Sequence, residues 1–365
     1  MHKITVGRRD SYPWPAAVFK LIKGKEMEMT SIFRKVTSPR SLRVLGLSLF
    51  AAAGFSVAAQ NVDYSVVSVP EEAGADFVKV TKTGDYVCMP QVRRTRAGIT
   101  WLSNRILGIP PGGGEIAYLS YRNNTTNIFI KDLARQGGST QRTNRSAVLD
   151  FTYSPDGKHI CFSETRGKNN QIFQTDARSG YVCRQITTGD QDYSPVYASD
   201  MKHLFFARTE ANGASIWAFS PADNFLSSYA AGMNPCPLPG QSAFLCVRQN
   251  GEGRSELWKV DYQTGVEECL LSDPQRSFTS PTVSPDGKWV LFVGDSHIEA
   301  PGVSFWNTDL FVCRLDGTGF AQLTYHAADD LSPVWSADGR HIYFISQRGD
   351  AEGTANIWRM TFQHY

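Results

Sequence analysis

Residues 278–292 read FTSPTVSPDGKWVLF, two short apolar runs that meet at Ser284-Pro285-Asp286-Gly287. Proline presets φ at the first corner of a turn, aspartate bonds its own backbone, and glycine accepts a positive φ. The stretch predicts a β-hairpin whose second strand begins at Lys288. One hairpin decides little, but this one returns. With Asp286 as reference, the equivalent positions are Gly112, Asp156, Asp200, Gly240 and Asp338. Successive separations are 44, 44, 40, 46 and 52 residues, a period that marks stacked supersecondary units such as propeller blades.

Four features travel with the period. The turn recurs as Ser154-Pro155-Asp156-Gly157 and, varied, as Ser336-Ala337-Asp338-Gly339, with looser copies at Pro110-Pro111-Gly112-Gly113 and Leu238-Pro239-Gly240. A dipeptide lies six residues upstream of the reference: Ser194-Pro195, Asn234-Pro235, Ser280-Pro281 and Ser332-Pro333. The strand after the turn is apolar on both faces, as at Ile160-Cys161-Phe162 and Ile342-Tyr343-Phe344, which predicts burial on both sides between packed sheets. An aliphatic–aromatic pair, such as Ile128-Phe129 or Ile357-Trp358, then opens a third strand. A fourth follows at Gln185-Ile186-Thr187 and Gln322-Leu323-Thr324. The expected fold is all-β, a six-bladed β-propeller of four-stranded antiparallel blades. Too little chain follows Trp358 for a fourth strand, while residues 77–81 form an unmatched strand ending Val80-Thr81, like Ile186-Thr187 and Leu323-Thr324. We expect 77–81 to complete the last blade and close the ring.

The amino end differs from the rest. Arg34, Lys35, Arg40 and Arg43 precede the apolar run 44–53, and small residues ending Val57-Ala58-Ala59 follow. This is the pattern of a signal peptide cleaved after about Ala59, and the run is short for a membrane span. A start at Met27 or Met29 suits such a leader better, making 1–26 an upstream extension. Residues 1–59 carry a net charge of +7, which leaves about −5 for 60–365 out of the whole-chain +2. The basic balance therefore belongs to the leader, and general nucleic-acid or anionic-membrane binding loses its support. Seven cysteines, an odd number, make no disulfide framework. An oxidising compartment would permit a Cys236–Cys246 bridge, whereas Cys161, Cys246 and Cys313 sit in apolar runs and read as small buried hydrophobes.

These repeats resemble the TolB-like propeller repeat of exported bacterial proteins. The likeness rests on SPDGKHICFS at 154–163, SPDGKWVLFV at 284–293 and SPVWSADGRHIYFISQRG at 332–349, and it covers roughly 77–360. It implies a periplasmic TolB-like domain over 60–365 without the family's preceding α/β domain. It also implies a non-catalytic envelope role, with a partner such as a peptidoglycan-associated lipoprotein, or a peptide or glycan ligand. We expect a monomer with no cofactor. Because similar repeats occur in prolyl-oligopeptidase-like peptidases and polysaccharide lyases, a glycan-active or carbohydrate-binding propeller is the second reading.

A peptidase of that type needs a Gly-x-Ser-x-Gly elbow, and the sequence has none. His159, His203 and His341 occupy equivalent blade positions, so they spread around a ring instead of converging on a metal. Arg122, Arg166, Arg208, Arg248 and Arg348 follow the second strands, and Asp132, Asp176, Asp261 and Asp316 the third. They read as surface ion pairs or loop-ordering hydrogen bonds. Residues that break the repeat carry more information. The 294–307 stretch is a long insertion with His297, Phe305 and Trp306, and the inter-blade links add Asp192, Arg276, Asp329 and Asp330. Exposed aromatics beside mixed charges suit peptide or glycan contact, so these seven are the candidate binding residues. They belong to the face opposite the SPDG turns. Arg93, Arg94 and Arg96 read as a solvated basic loop.

Overall fold

A computed structural model describes residues 75–363 apart from positions 83, 91, 96, 97, 103, 104, 136, 189, 190, 301, 302, 327 and 350–353. The leader region 1–59 and Arg96 lie outside the described residues. Every regular element described is a strand. After β1 (Val78–Lys79) comes a hairpin, β2 (Val92–Thr95) with β3 (Gly98–Leu102). Antiparallel meanders follow. The first is β4 (Leu107–Gly108), β5 (Glu115–Arg122), β6 (Thr125–Asp132) and β7 (Thr140–Gln141). The second is β8 (Val148–Tyr153), β9 (His159–Arg166), β10 (Asn169–Asp176) and β11 (Val182–Gln185). Next come β12 (Gln191–Tyr197), β13 (Leu204–Glu210), β14 (Gly213–Ser220) and β15 (Phe225–Ala231). These two meanders count as one eight-stranded sheet because β10 meets β12 through the single parallel pair Asn170↔Gln191.

Four-stranded sheets then form from β16 (Met233–Pro237), β17 (Ala243–Gln249), β18 (Ser255–Asp261) and β19 (Glu267–Leu271), and from β20 (Arg276–Val283), β21 (Trp289–Ala300), β22 (Val303–Arg314) and β23 (Ala321–Gln322). The final sheet runs β1-β26-β25-β24, with β24 (Asp330–Trp335), β25 (His341–Ser346) and β26 (Asn356–Thr361). The expected strand 77–81 is thus shorter as a ladder, with Val78 opposite Arg359 and Lys79 opposite Trp358. Its pairing nevertheless continues as Val80 N–H donates to Ile357 O at 2.8 Å.

The likeness of Thr81 to Thr187 and Thr324 has a physical basis. The Ile357 amide donates to Thr81 Oγ1 at 2.9 Å, as the Ile172 amide does to Thr187 at 3.0 Å and the Leu310 amide to Thr324 at 2.9 Å. Each threonine satisfies a backbone donor that the short fourth strand leaves open.

The turns are built as the residues dictate. Ser284 Oγ donates to Asp286 Oδ1 at 2.6 Å, and the same carboxylate accepts from the Lys288 amide. The Trp289 amide donates to Ser284 Oγ at 2.9 Å, and Gly287 takes φ +73°. Ser154 with Asp156, and Ser336 with Asp338, repeat the pattern. The Ser/Asn-Pro dipeptides have a role that the sequence did not disclose. Ser194, Asn234, Ser280 and Ser332 all have φ between 50° and 54°, and the ladder register shifts at each. They are β-bulges in the first strands, where proline's missing N–H costs no ladder bond.

The core lies between sheets. Leu291, Leu310, Leu331, Trp335 and Phe344 pack the β20–β23 meander on the last sheet, and Tyr193, Phe205, Ala207, Phe244 and Cys246 pack the β12–β15 meander on β16–β19. The second strands are buried on both faces as expected, Phe162, Phe206, Phe292 and Phe344 being fully enclosed. Each such side chain stabilises the fold by about 1.5–3 kcal/mol. Cys236 and Cys246 are free thiols. Cys236 pairs with Leu245, so the neighbouring Cys246 points to the opposite face and the two fall in different clusters.

Candidate functional site

The first strands of the meanders run from the inter-meander links towards the Ser-x-Asp-Gly turns, and a cavity of about 440 Å³ opens among those turns. Its lining includes Arg105, Thr152, Tyr153, Tyr197, Cys236, Ser280, Thr282 and Trp335, contributed by six first strands or their approaches. Eight prolines contribute: Pro110, Pro111, Pro155, Pro237, Pro239, Pro281, Pro285 and Pro333. The SPDG turns therefore do more than set register, because Pro155, Pro285 and Ala337 form the mouth. The sequence alone pointed to the other end of the strands.

Among the described residues Arg105 is the one charged side chain in this lining. Its Nη2 donates to Pro235 O at 2.6 Å, and Nη1 reaches Pro195 O at 3.5 Å. These carbonyls belong to the Asn-Pro and Ser-Pro bulges of β16 and β12, so the guanidinium crosses from the start of the first meander to two others. Burial pulls its pKa down, against the pull of Cys236 and Asp150 in the other direction. Asp150 stands at the bulge position of β8 and is buried. It accepts from Ser163 Oγ at 2.5 Å and from the Ser194 amide at 2.8 Å. Burial nevertheless pushes its carboxyl above the usual range. From Ser194 the polar chain continues to Asn234 Oδ1 at 3.4 Å, and Asn234 Nδ2 donates to Thr279 Oγ1 at 3.2 Å. Hydrogen bonds thus tie β8, β12, β16 and β20 side by side. Two lining hydroxyls, Tyr153 and Ser280, have enclosed oxygens with no hydrogen-bond partner.

Of the seven sequence candidates, Asp192, Arg276, Asp329 and Asp330 are not among the residues that line this cavity. Asp192 is buried and accepts from Arg208 Nε at 2.7 Å and Nη2 at 3.1 Å. Asp330 is buried with Arg348 Nη2 at 2.5 Å. Asp329 accepts from Thr308 Oγ1 at 2.6 Å, and Arg276 lies 3.5 Å from Asp273 and over the Phe311 ring at 5.6 Å. All four thus hold contacts to neighbouring protein groups. His297, Phe305 and Trp306 lie on β21 and β22, with His297 opposite Trp306 and Ile298 opposite Phe305. The expected insertion loop is therefore a prolonged hairpin, and the side chains of these three lie outside what is described. Arg93 and Arg94 likewise fall on a strand, β2, whose hairpin partner β3 runs beside β18, β20 and β21.

The periodic ions divide. Asp132, Asp176, Asp261 and Asp316 accept from backbone amides two or three residues on and so order their loops. Of the arginines, Arg166 is exposed as expected, Arg122, Arg208 and Arg248 are half-buried, and Arg348 is fully enclosed. His159, His203 and His341 are half-buried. His203 packs among Phe205, Tyr229 and Tyr262, and no metal-binding group of three or more His, Cys, Asp or Glu occurs among the described residues.

Sequence reasoning missed Arg105, though a signal was there. Seven residues before the reference, the other units carry Leu149, Tyr193, Met233, Thr279 and Leu331. A charge at that position breaks the repeat inside a strand approach.

The model of the TolB beta propeller domain matches residues 107–304. A stretch of 82 residues is 35% identical to the Tol-Pal system protein TolB of Gluconobacter oxydans, covering 22% of this chain and 17% of that protein. The chain covers between 10% and 28% of the length of three curated relatives it matches. Among solved structures, a putative TolB from Agrobacterium tumefaciens superposes with a TM-score of 0.53 at 13% identity, over 73% of this chain and 94% of that one. An oligogalacturonate lyase from Vibrio parahaemolyticus gives 0.51 at 11% identity, over 80% and 97%. At these identities the likeness shows the fold alone.

Proposed function

The chain belongs to the TolB beta propeller domain family, and from that premise we propose a non-catalytic, exported propeller of the cell envelope that binds a protein partner at its axial cavity. The cavity at the Ser-x-Asp-Gly end carries the reading. Among the described residues its lining has no aspartate, glutamate or histidine and a single arginine, a composition suited to recognition and poor in the carboxylate and imidazole groups that turnover would commonly use. A Tol-Pal-type partner is the family's analogy. No helix of the described residues is long and apolar enough to cross a membrane.

We read the sheets as six blades in a ring. Support comes from the β1–β26 pairing and from one core cluster that joins Tyr343, Ile345 and Ile357 to Ile116, Tyr118 and Phe151, so the last meander packs on the first. In this reading the β21–β22 hairpin with Trp306 is a second contact surface at the far end of the strands.

A photo-crosslinking residue at Ala337, exposed at the cavity mouth, tests the proposal against one at Thr264, exposed on an outer turn. A discrete envelope-protein adduct from position 337 and none from 264 is expected. Turnover of an envelope polysaccharide without any protein adduct would overturn the proposal in favour of a glycan-active enzyme.

A further inference from the structure

Arg105 precedes the first turn's reference position by seven residues and Ser280 precedes its own by six. Both therefore stand at one depth, well below the mouth formed by Pro155, Pro285 and Ala337. Arg105 spends Nη1 and Nη2 contacts on two carbonyls, and no carboxylate of the described residues forms an ion pair with it. A guanidinium carries five N–H donors, so donors remain. Asp150, the nearest acidic influence, is already held by Ser163 and the Ser194 amide. Ser280 adds a hydroxyl that is 3% exposed and without a partner. The cavity lining thus holds a positive charge and, enclosed in the same wall, an idle hydroxyl, both of which an oxyanion would satisfy.

The shape narrows the ligand. Proline has no N–H, so the eight prolines offer ring faces and carbonyl acceptors. A glycan's dense hydroxyls would find few donors on such a wall, whereas the apolar side chains of a peptide match it. A chain end can enter a deep axial hole end-on, while an internal acidic residue would have to bring two chain directions through the same mouth. At about 440 Å³ the space suits the last few residues of a peptide.

We propose that the axial cavity is a receptor for a peptide C-terminus, with the terminal carboxylate received by Arg105 and Ser280. This deepens the protein-binding reading above and rests on it.

The test uses a library of short N-acetylated peptides, displayed once with free C-terminal carboxylates and once amidated, against the full chain after export. Free-acid peptides should bind, amidation should weaken them roughly tenfold or more, and Arg105→Gln should remove the difference between the libraries. Because Arg105→Gln also loses two structural bonds, its melting curve is taken alongside. Ser280→Ala, which breaks no hydrogen bond, should weaken free-acid binding several-fold. Equal binding of acid and amide libraries would overturn carboxylate recognition while leaving peptide binding standing. Binding of neither library, or of oligogalacturonate in their place, would sink both readings.

Discussion

Two sheets of this molecule solve the same problem with different materials. The β16–β19 meander is made from one continuous stretch. The β24–β26 sheet takes its fourth strand from the other end of the chain, 275 residues away in sequence where Thr81 meets Asn356. Both carry an arginine near the end of the second strand, Arg248 within β17 and Arg348 two residues past β25. In the continuous meander Arg248 pairs with Glu267 on the outer strand, the side chains 15% and 38% exposed. In the two-part sheet Arg348 pairs with Asp330 on the inner strand, both at 0%. Arg348 also lies over Phe77, just before β1, with 4.2 Å to the ring centroid, and over Phe344 at 5.1 Å. The seam is therefore held by side chains that reach across it. The continuous meander, whose strands cannot drift apart, leaves its equivalent pair near water.

The strongest way to break this comparison is to remove the donated strand. Deleting residues 60–82 takes away Phe77, the β1 ladder and Thr81, exposing one edge of β26 and part of the core beneath it. We expect the thermal midpoint to fall by more than about 15 °C, at roughly 2–4 °C per kcal/mol for a chain of this size class. An unchanged melt would falsify the seam as a structural element. Next in size is Arg348→Ala, which strands a buried carboxylate and should cost about 3–5 kcal/mol. The matched variant Arg248→Ala should cost less, about 1 kcal/mol, because its carboxylate partner stays open to water and is screened. Chemical denaturation of the two variants side by side checks the contrast, and equal losses would erase it.

The legibility of these features followed the distance between partners. Ser284, Asp286 and Gly287 could be read because their hydrogen bonds close within five residues. Thr81 could be read because its relatives Thr187 and Thr324 display the pattern. Asp192 and Asp330 were visible as periodic charges, but sequence gives adjacency and not depth. Their arginines, 16 and 18 residues on, draw them inside their sheets. Arg105 was invisible for the same reason made stronger, since its carbonyl partners lie 90 and 130 residues further on. The bulges at Ser194, Asn234, Ser280 and Ser332 were legible as a motif and illegible as a conformation. A Ser-Pro pair does not announce a positive φ, because the residue before proline ordinarily prefers extended backbone.

An effect smaller than that of Arg348→Ala sharpens the seam where it continues past β1. Asp85 is buried and accepts from the Lys82 amide at 3.0 Å, Lys131 Nζ at 3.1 Å and Ser139 Oγ at 3.1 Å. Arg122 and Ser120 donate to its backbone carbonyl at 2.8 and 2.9 Å. The chain leaving the last sheet is thereby latched onto the first meander. Burial raises the carboxyl's pKa, but the Lys82 amide, Lys131 and Ser139 outweigh it and hold the group below its ordinary value. The folded state therefore binds this proton less readily than the unfolded chain. The resulting stability is present above the unfolded carboxyl's pKa and is lost as pH falls through the folded one. Asp150, whose pKa is raised, has the opposite sign, its contribution declining as pH rises. Asp85→Asn should cost about 1–3 kcal/mol near neutrality, and the cost should shrink on acidification as the parent protein loses the same ionised contact. Urea melts across the acid range check this directly: curves that stay parallel at every pH would show that Asp85 acts by shape alone.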